Sequence, residues 1–186
     1  MKMNAQRNII VIGTASGGFT ALCKLLEGLA ATVDVTVLAA FDSGSLPAAS
    51  VLQVLGHQSH LKVSYAHDGM VVQQGQLILS PMAQSMQIVE PGVIELVALT
   101  SRPVDLLFET AAGVYGNRVI AIVLTGGVRD GARGLIAVEA AHGVGVVQDP
   151  ADALAETMPR SAIRGDHPNY CTRMEDMPKL LASLVR

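Results

Sequence analysis

Tryptophan is missing from the 186 residues, and phenylalanine and tyrosine together reach only 3%. Whatever core this chain builds must therefore be aliphatic. Cysteine is nearly missing too: Cys23 and Cys171 lie far apart, with no CxxC pair and no Cys/His cluster. A zinc site is thus unsupported, no other pattern asks for a metal or cofactor, and the usage suits the reducing cytoplasm. Long hydrophobic runs are also lacking. The longest, Val119 to Leu124, falls far short of the roughly 20 residues that span a bilayer. The start "MKMNAQRNIIVIG" carries too short an apolar run for a signal peptide, so no membrane insertion is expected. Charge is sparse, at 16% of residues and a formal net charge of −3. No basic tract exists and basic residues do not interleave with aromatics, which excludes nucleic acid as an expected partner.

What is present is apolar residue in quantity, half of the chain. That suffices for one domain, residues 1–186, with a sizeable core. Ile9 to Ile12 is a β-branched run, as expected of a strand covered on both faces. Phe19, Leu22, Leu25, Leu26 and Leu29 then recur at helical spacing, with Cys23 on the same apolar face as an expected buried thiol. A second strand is expected from Val33 in "VDVTVLAA" and a second helix from Leu46 to Leu55. The middle reads differently: "GQLILSP", "SMQIVE" and "VIELVAL" are short strands punctuated by Pro81 and Pro91-Gly92, which predicts an antiparallel hairpin or edge. Helical spacing returns at Val104, Leu107, Phe108 and Ala111. A strand follows in "RVIAIVLTGG" from Arg118, a helix from Asp130 to Gly143, a strand in "VGVVQ", and a last helix from Glu175. The pattern predicts an α/β fold, doubly wound, with a mostly parallel sheet, a short antiparallel hairpin and helices on both faces.

Ligands of such sheets sit beyond the carboxyl ends of the strands, and three loops qualify: Gly13 to Gly18, Phe41 to Ser45, and "TGGVRDG" from Thr125 to Gly131. Each by itself is an ordinary strand-to-helix turn. The first lies in "NIIVIGTASGGFTALCKLL". In the frame Gly-x-Ser-x-Gly of serine hydrolases it reads Gly13-Thr14-Ala15-Ser16-Gly17. Alanine stands at the nucleophile and a serine follows one residue late. The dinucleotide fingerprint G-x-G-x-x-G does not fit Gly13, Gly17 and Gly18. Asp42 nevertheless lies at a plausible distance for it, which keeps nucleotide or phosphate binding as an alternative.

Taken in order, these motifs resemble the catalytic domain of CheB-type chemotaxis methylesterases. The family form I-G-A-S-T-G-G corresponds to Ile12-Gly13-Thr14-Ala15-Ser16-Gly17-Gly18, and I-L-T-G-M-G-x-D-G to Val123 through Gly131. Asp68-Gly69, "LILSP", "RPVDLLF" from Arg102 and "VVQDPADALAETMPRSAI" from Val146 add to it. The resemblance implies a Ser-His-Asp esterase acting on glutamate methyl esters of chemoreceptors. It places the serine on Ala15, the next residue on Ser16, the histidine on Phe41, the aspartate on Asp130, and the loop beside the oxyanion on Gly126 and Gly127. An aspartate without a histidine cannot activate a serine. His57, His60, His67, His142 and His167 fall outside the strand-end loop that carries Ser16. The expectation is a degenerate esterase domain that binds a protein partner, a chemoreceptor or another signalling protein. The alternative from a different direction is an esterase whose nucleophile has moved to Ser16. Only about eight residues precede the first strand, so no receiver domain is expected on this chain. Asp130, lacking its histidine, is expected to cap the helix that it opens.

Overall fold

The computed structural model describes residues 7–29, 34–42, 44–165 and 168–185. Val33, Ser43 and His167 lie outside the described residues. Nine strands and six helices are described: β1 (Ile9–Gly13), α1 (Gly18–Gly28), β2 (Thr36–Ala40), α2 (Ala48–Gln58), β3 (Lys62–Tyr65), β4 (Gln76–Leu79), β5 (Gln84–Val89), β6 (Val93–Ala98), α3 (Pro103–Tyr115), β7 (Val119–Val123), α4 (Ala132–Ala140), β8 (Val144–Gln148), α5 (Thr157–Gly165), β9 (Tyr170–Thr172) and α6 (Met177–Leu184). Seven strands form one sheet in the order β3-β4-β2-β1-β7-β8-β9, with every pair parallel. β5 and β6 make a separate antiparallel pair.

The central strands read as unbroken apolar runs because both faces are buried, and period two divides their side chains between two cores. From β1, Ile10 and Ile12 enter one core and Ile9 and Val11 the other. β7 does the same, with Ile120 and Ile122 against Val119, Ala121 and Val123. Leu22 and Leu25 of α1 and Val51 and Leu55 of α2 close the first layer, together with Leu181 of α6. Leu107 and Phe108 of α3, Leu135 of α4 and the hairpin residues Met86 and Ile88 close the second. Cys23, expected to be buried, is only half-buried, because it flanks the Leu22–Leu25–Leu26 stripe rather than lying in it.

The doubly wound, mostly parallel α/β fold is as expected. One part of the middle differs. "GQLILSP" does not join the antiparallel strands: β4 pairs in parallel with both β2 and β3, and Leu77, Ile78 and Leu79 are fully buried. The hairpin is β5–β6 alone. α5 and β9 had no counterpart in the sequence reading. α5 buries only Met158, Pro159 and Ala162, and β9 is three residues long, too short for its pattern to register.

Register decides where the loops emerge. Gly13 is aligned with Ala40 on one side and Val123 on the other. The chain leaves β1 for α1 on one face, and β7 for α4 on the opposite face. The gap between these two strands is therefore the topological switch point, where such sheets bind ligands. α3 runs along this gap, with Val104 so close to Gly13 that a Cβ there would lie 2.1 Å from Val104 Cγ1.

α3 and α4 also meet closely at Gly134, whose Cβ, if present, would lie 2.5 Å from Phe108 Cβ. Gly134→Ala sets two effects against each other. Alanine gains up to about 1 kcal/mol of helix propensity, and overpacking costs about 1–3 kcal/mol. Phe108 Cβ is tied to the backbone and cannot rotate away, so the clash wins. Gly134→Ala is expected to lower the denaturant midpoint, measured by circular dichroism, and a raised midpoint would show that α3 and α4 separate freely.

Candidate functional site

At the carboxyl edge of the sheet lies a cleft of about 480 Å³. Thr14 and Ala15 after β1, Phe41 and Asp42 after β2, and Ser80 after β4 contribute to it. The segment from Pro81 to Gln84 and the residues Leu99 to Ser101 form further parts of the wall, completed by Val104, Val128, Asp130 and Met158. Ala15, Phe41 and Asp130, far apart in sequence, thus line one cleft. Phe41 also packs against the core on the α1–α2 side, so its ring is half-buried rather than freely presented.

Backbone hydrogen bonds hold the two loops of the switch point together. Ala15 N–H donates to the Thr125 carbonyl at 3.1 Å, and Thr14 Oγ1 donates to the same oxygen at 2.6 Å. Thr125 N–H donates to Gln148 Oε1 at 2.9 Å. Gly126 N–H donates to the Ala155 carbonyl, and Met158 N–H to the Gly126 carbonyl. The Ala15 and Gly126 donors are therefore engaged and do not face a ligand as free oxyanion partners. Gly127 lies against Ser16, since a Cβ on it would stand 3.3 Å from Ser16 Oγ. Ser16 is exposed and is not among the cleft residues.

Asp130 is buried, with 3% of its surface exposed. It does not cap the helix that follows it, as the sequence suggested. Its carboxylate accepts from Val104 N–H at 2.8 Å and Asp105 N–H at 2.9 Å, both in the first turn of α3. A third bond comes from Gly131 N–H at 2.8 Å. Gly131, at φ 91°, turns the chain away from the α4 axis, which leaves α4 without its own aspartate. That cap comes from Asp105 of α3, whose Oδ1 accepts from Gly134 N–H at 2.8 Å. Each helix is capped by the loop or first turn of the other. The Pro103-x-Asp105 pattern marks a helix start, and it was a signal for Asp105 that went unused.

The chemistry of the cleft follows from its lining. Among the described residues that line it there is no histidine, lysine or cysteine. Thr14 is bonded to a carbonyl, Ser80 Oγ accepts from Phe41 N–H, and Thr100 pairs with Ser85. The charged groups are two acids, Asp42 and Asp130. Asp42 turns back to accept from Gly44 N–H at 2.8 Å. Over the glycine turn, Leu154 lies so near Gly17 that a Cβ there would be 2.7 Å from it. Among the described residues no group of three or more His, Cys, Asp or Glu side chains could hold a metal. Met82, Leu99 and Val128 stand exposed at the cleft's margin, at 61%, 59% and 52%, an apolar rim suited to a protein contact.

A doubly wound α/β domain with a ligand cleft at its switch point is the class that fold and geometry define. Residues 10–181 match the CheB methylesterase family, and the chain belongs to that family. It is 29% identical over 180 residues to a Leptospira interrogans protein provisionally named a protein-glutamate methylesterase/protein-glutamine glutaminase, spanning 94% of this chain and 93% of the relative. A Methanosarcina acetivorans protein-glutamate methylesterase/protein-glutamine glutaminase 2 is 30% identical over 197 residues, spanning 100% of this chain and 55% of its own length. This chain thus spans about half of the archaeal relative and nearly all of the leptospiral one. The crystal structure of the Thermotoga maritima CheB methylesterase catalytic domain superposes with a TM-score of 0.85 at 25% identity, covering 96% of this chain and 98% of that one. Among the described residues no helix is long and apolar enough to cross a membrane.

Burial pushes the Asp130 carboxyl above the usual carboxylate range, the three backbone N–H groups oppose this, and the charge of Asp105 adds to it. The folded protein therefore keeps this proton to higher pH than the unfolded chain does. The stability it contributes is present below the ordinary carboxylate value and is lost as pH rises through the raised one. Two outcomes are expected. Asp130→Ala leaves three buried donors unpaired and costs about 2–4 kcal/mol, more than a single cap. The advantage of wild type over Asp130→Asn in unfolding free energy shrinks as pH rises through the carboxylate range, and a growing advantage would reverse the sign assigned to burial.

Proposed function

We propose that this CheB-type domain binds a glutamyl side chain of a signalling protein, in the manner of a chemoreceptor segment, without hydrolysing it. The observation that carries this reading is a cleft at the switch point with no basic side chain among its described lining residues. Where the family resemblance places a serine and a histidine, the cleft is lined by Ala15 and Phe41, which carry neither a nucleophile nor a base. Ester hydrolysis through serine needs a nucleophile within hydrogen-bond reach of a base, and among the described residues no basic side chain lines this cleft. Asp130 already accepts three backbone hydrogen bonds, a role that requires no histidine. The apolar rim of Met82, Leu99 and Val128 supports a protein partner rather than a small solute. The cytoplasm is the compartment that such a partner implies.

The Ser16 alternative is weaker, because the hydroxyl lies outside the cleft that holds Asp130. Hydrolysis of an activated ester and of a methylated receptor fragment separates the readings. Wild type, Ser16→Ala, Ala15→Ser and Phe41→His are each expected at background. Triad members act as a unit, so Ala15→Ser with Phe41→His is the one combination expected to gain activity. Misplacement by about 1 Å can cost on the order of a hundredfold, which keeps the expected gain small. Wild-type turnover that disappears in Ser16→Ala would overturn the proposal.

A further inference from the structure

Beside the cleft lies a second depression of about 440 Å³, lined by Arg129, Arg160, Arg164, Glu156 and Ser161 among others. Part of it has an ordinary structural explanation. Arg160 pairs with Glu156 at 2.8 Å across one turn of α5, a surface contact of small energy. Arg164 stands in the last turn of the same helix, where a cation complements the helix dipole. Neither consideration accounts for Arg129, which comes from the loop after β7 and points into the same groove. Arg129 and Arg164 have no acidic partner among the described residues, and the described lining sets three arginines against one acid, Glu156, on a chain whose formal net charge is −3.

Groove and cleft share a wall. Val128 and Asp130 line the cleft while Arg129, between them, lines the groove; Met158 lines the cleft while Thr157, before it, lines the groove. The two cavities are therefore neighbours across the Val128–Asp130 and Thr157–Met158 segments, and a chain segment seated in the cleft can extend toward the groove. Their charges are opposite. The cleft holds two acids and no cation, so it favours an uncharged side chain such as a glutamyl ester or amide and repels a carboxylate. The groove favours the carboxylate.

We infer that Arg129, Arg160 and Arg164 form a recognition groove for acidic side chains that flank the neutral glutamyl-type side chain held in the cleft. This rests on the reading of the cleft as a glutamyl-binding site and adds the class of segment it takes: an acidic peptide. Arginine suits the role because its fork meets a carboxylate with two parallel hydrogen bonds. Ser161 supplies a hydroxyl on the same wall. The net charge of the whole molecule disfavours an acidic peptide, so any preference for one must come from this local patch.

Two labelled helix-forming peptides test it, each with a central glutamine, one with glutamates three and four residues to either side and the other with glutamines there. In fluorescence anisotropy at low salt, wild type is expected to bind the acidic peptide about three- to tenfold more tightly, the scale of one or two exposed ion pairs, with the preference fading as salt rises. Arg129→Gln with Arg164→Gln is expected to abolish the preference, with an unchanged thermal unfolding midpoint and unchanged binding of the neutral peptide. Ala15→Leu, which fills the cleft, should weaken both peptides while keeping the preference. If Ala15→Leu changes nothing but the arginine variants act as stated, the cleft reading fails and the groove stands as an acidic-peptide site. Equal wild-type affinity for the two peptides, or a preference that survives the double arginine change, overturns the groove. So does displacement of the acidic peptide by millimolar inorganic phosphate or by vesicles of anionic lipid, which would make the patch a general anion site.

Discussion

Everything at the carboxyl edge depends on one crossed arrangement: the Asp130 carboxylate closes the first turn of α3, and the Asp105 carboxylate, in that first turn, closes α4. Three backbone donors that helix starts leave without partners, those of Val104, Asp105 and Gly134, are satisfied by two buried acids. The two charges repel, but each faces the positive end of a helix dipole, and Arg102 reaches Asp105 at 3.3 Å. The consequence is geometric. Once the two helix starts are tied together, Val104 is held against Gly13 and Phe108 against Gly134. The loop from Val128 to Asp130 is set as a wall between cleft and groove.

On the proposed reading, in which Ala15 and Phe41 stand at the serine and histidine positions, this arrangement also explains how the aspartate can remain. In a Ser-His-Asp set the aspartate orients and stabilises the histidine. Here its oxygens are spent on the start of α3, and that demand persists whatever stands at position 41. A serine or a histidine at positions 15 and 41 has no comparable structural duty: Ala15 is held through its backbone N–H and Phe41 through its ring against the core and its N–H to Ser80. On the proposed reading, the cleft kept its shape because the fold needs Asp130, while the residues that only chemistry needs were free to change. Its apolar margin, acidic interior and adjoining arginines then divide recognition of one protein segment among three kinds of interaction.

The parts of this molecule legible in its sequence are those governed by short-range physics. β1 and β7 announce themselves as β-branched runs because strands buried on both faces tolerate nothing else. α1 and α3 follow from apolar spacing, and the Gly-rich turns mark where strand gives way to helix. Strand and helix in alternation suffice to place the loops after β1, β2 and β7 on one edge, which is why Ala15, Phe41 and Asp130 could be grouped before any coordinates. α5 was not legible, because its first turn contains Pro159 and only a narrow face is buried. β4 was legible as a strand but not as a parallel one, since its neighbours β2 and β3 come from other parts of the chain.

Local pattern by itself determined most of the elements, though not α5 or β9, and with them the aliphatic cores and the edge of the sheet where a ligand belongs. Only the tertiary structure decided which helix Asp130 caps. Capping looks local, yet it depends on which free N–H groups lie opposite in space, and Gly131 turned the nearest helix away. It also decided that Ser16 stands outside the cleft while Ala15, one residue earlier, lines it. The same holds for Arg129, separated from Arg160 and Arg164 by β8 and brought beside them by the crossing of loop and helix. Propensity and periodicity act over a few residues, whereas the meeting of charges and donors from distant segments is fixed by packing alone.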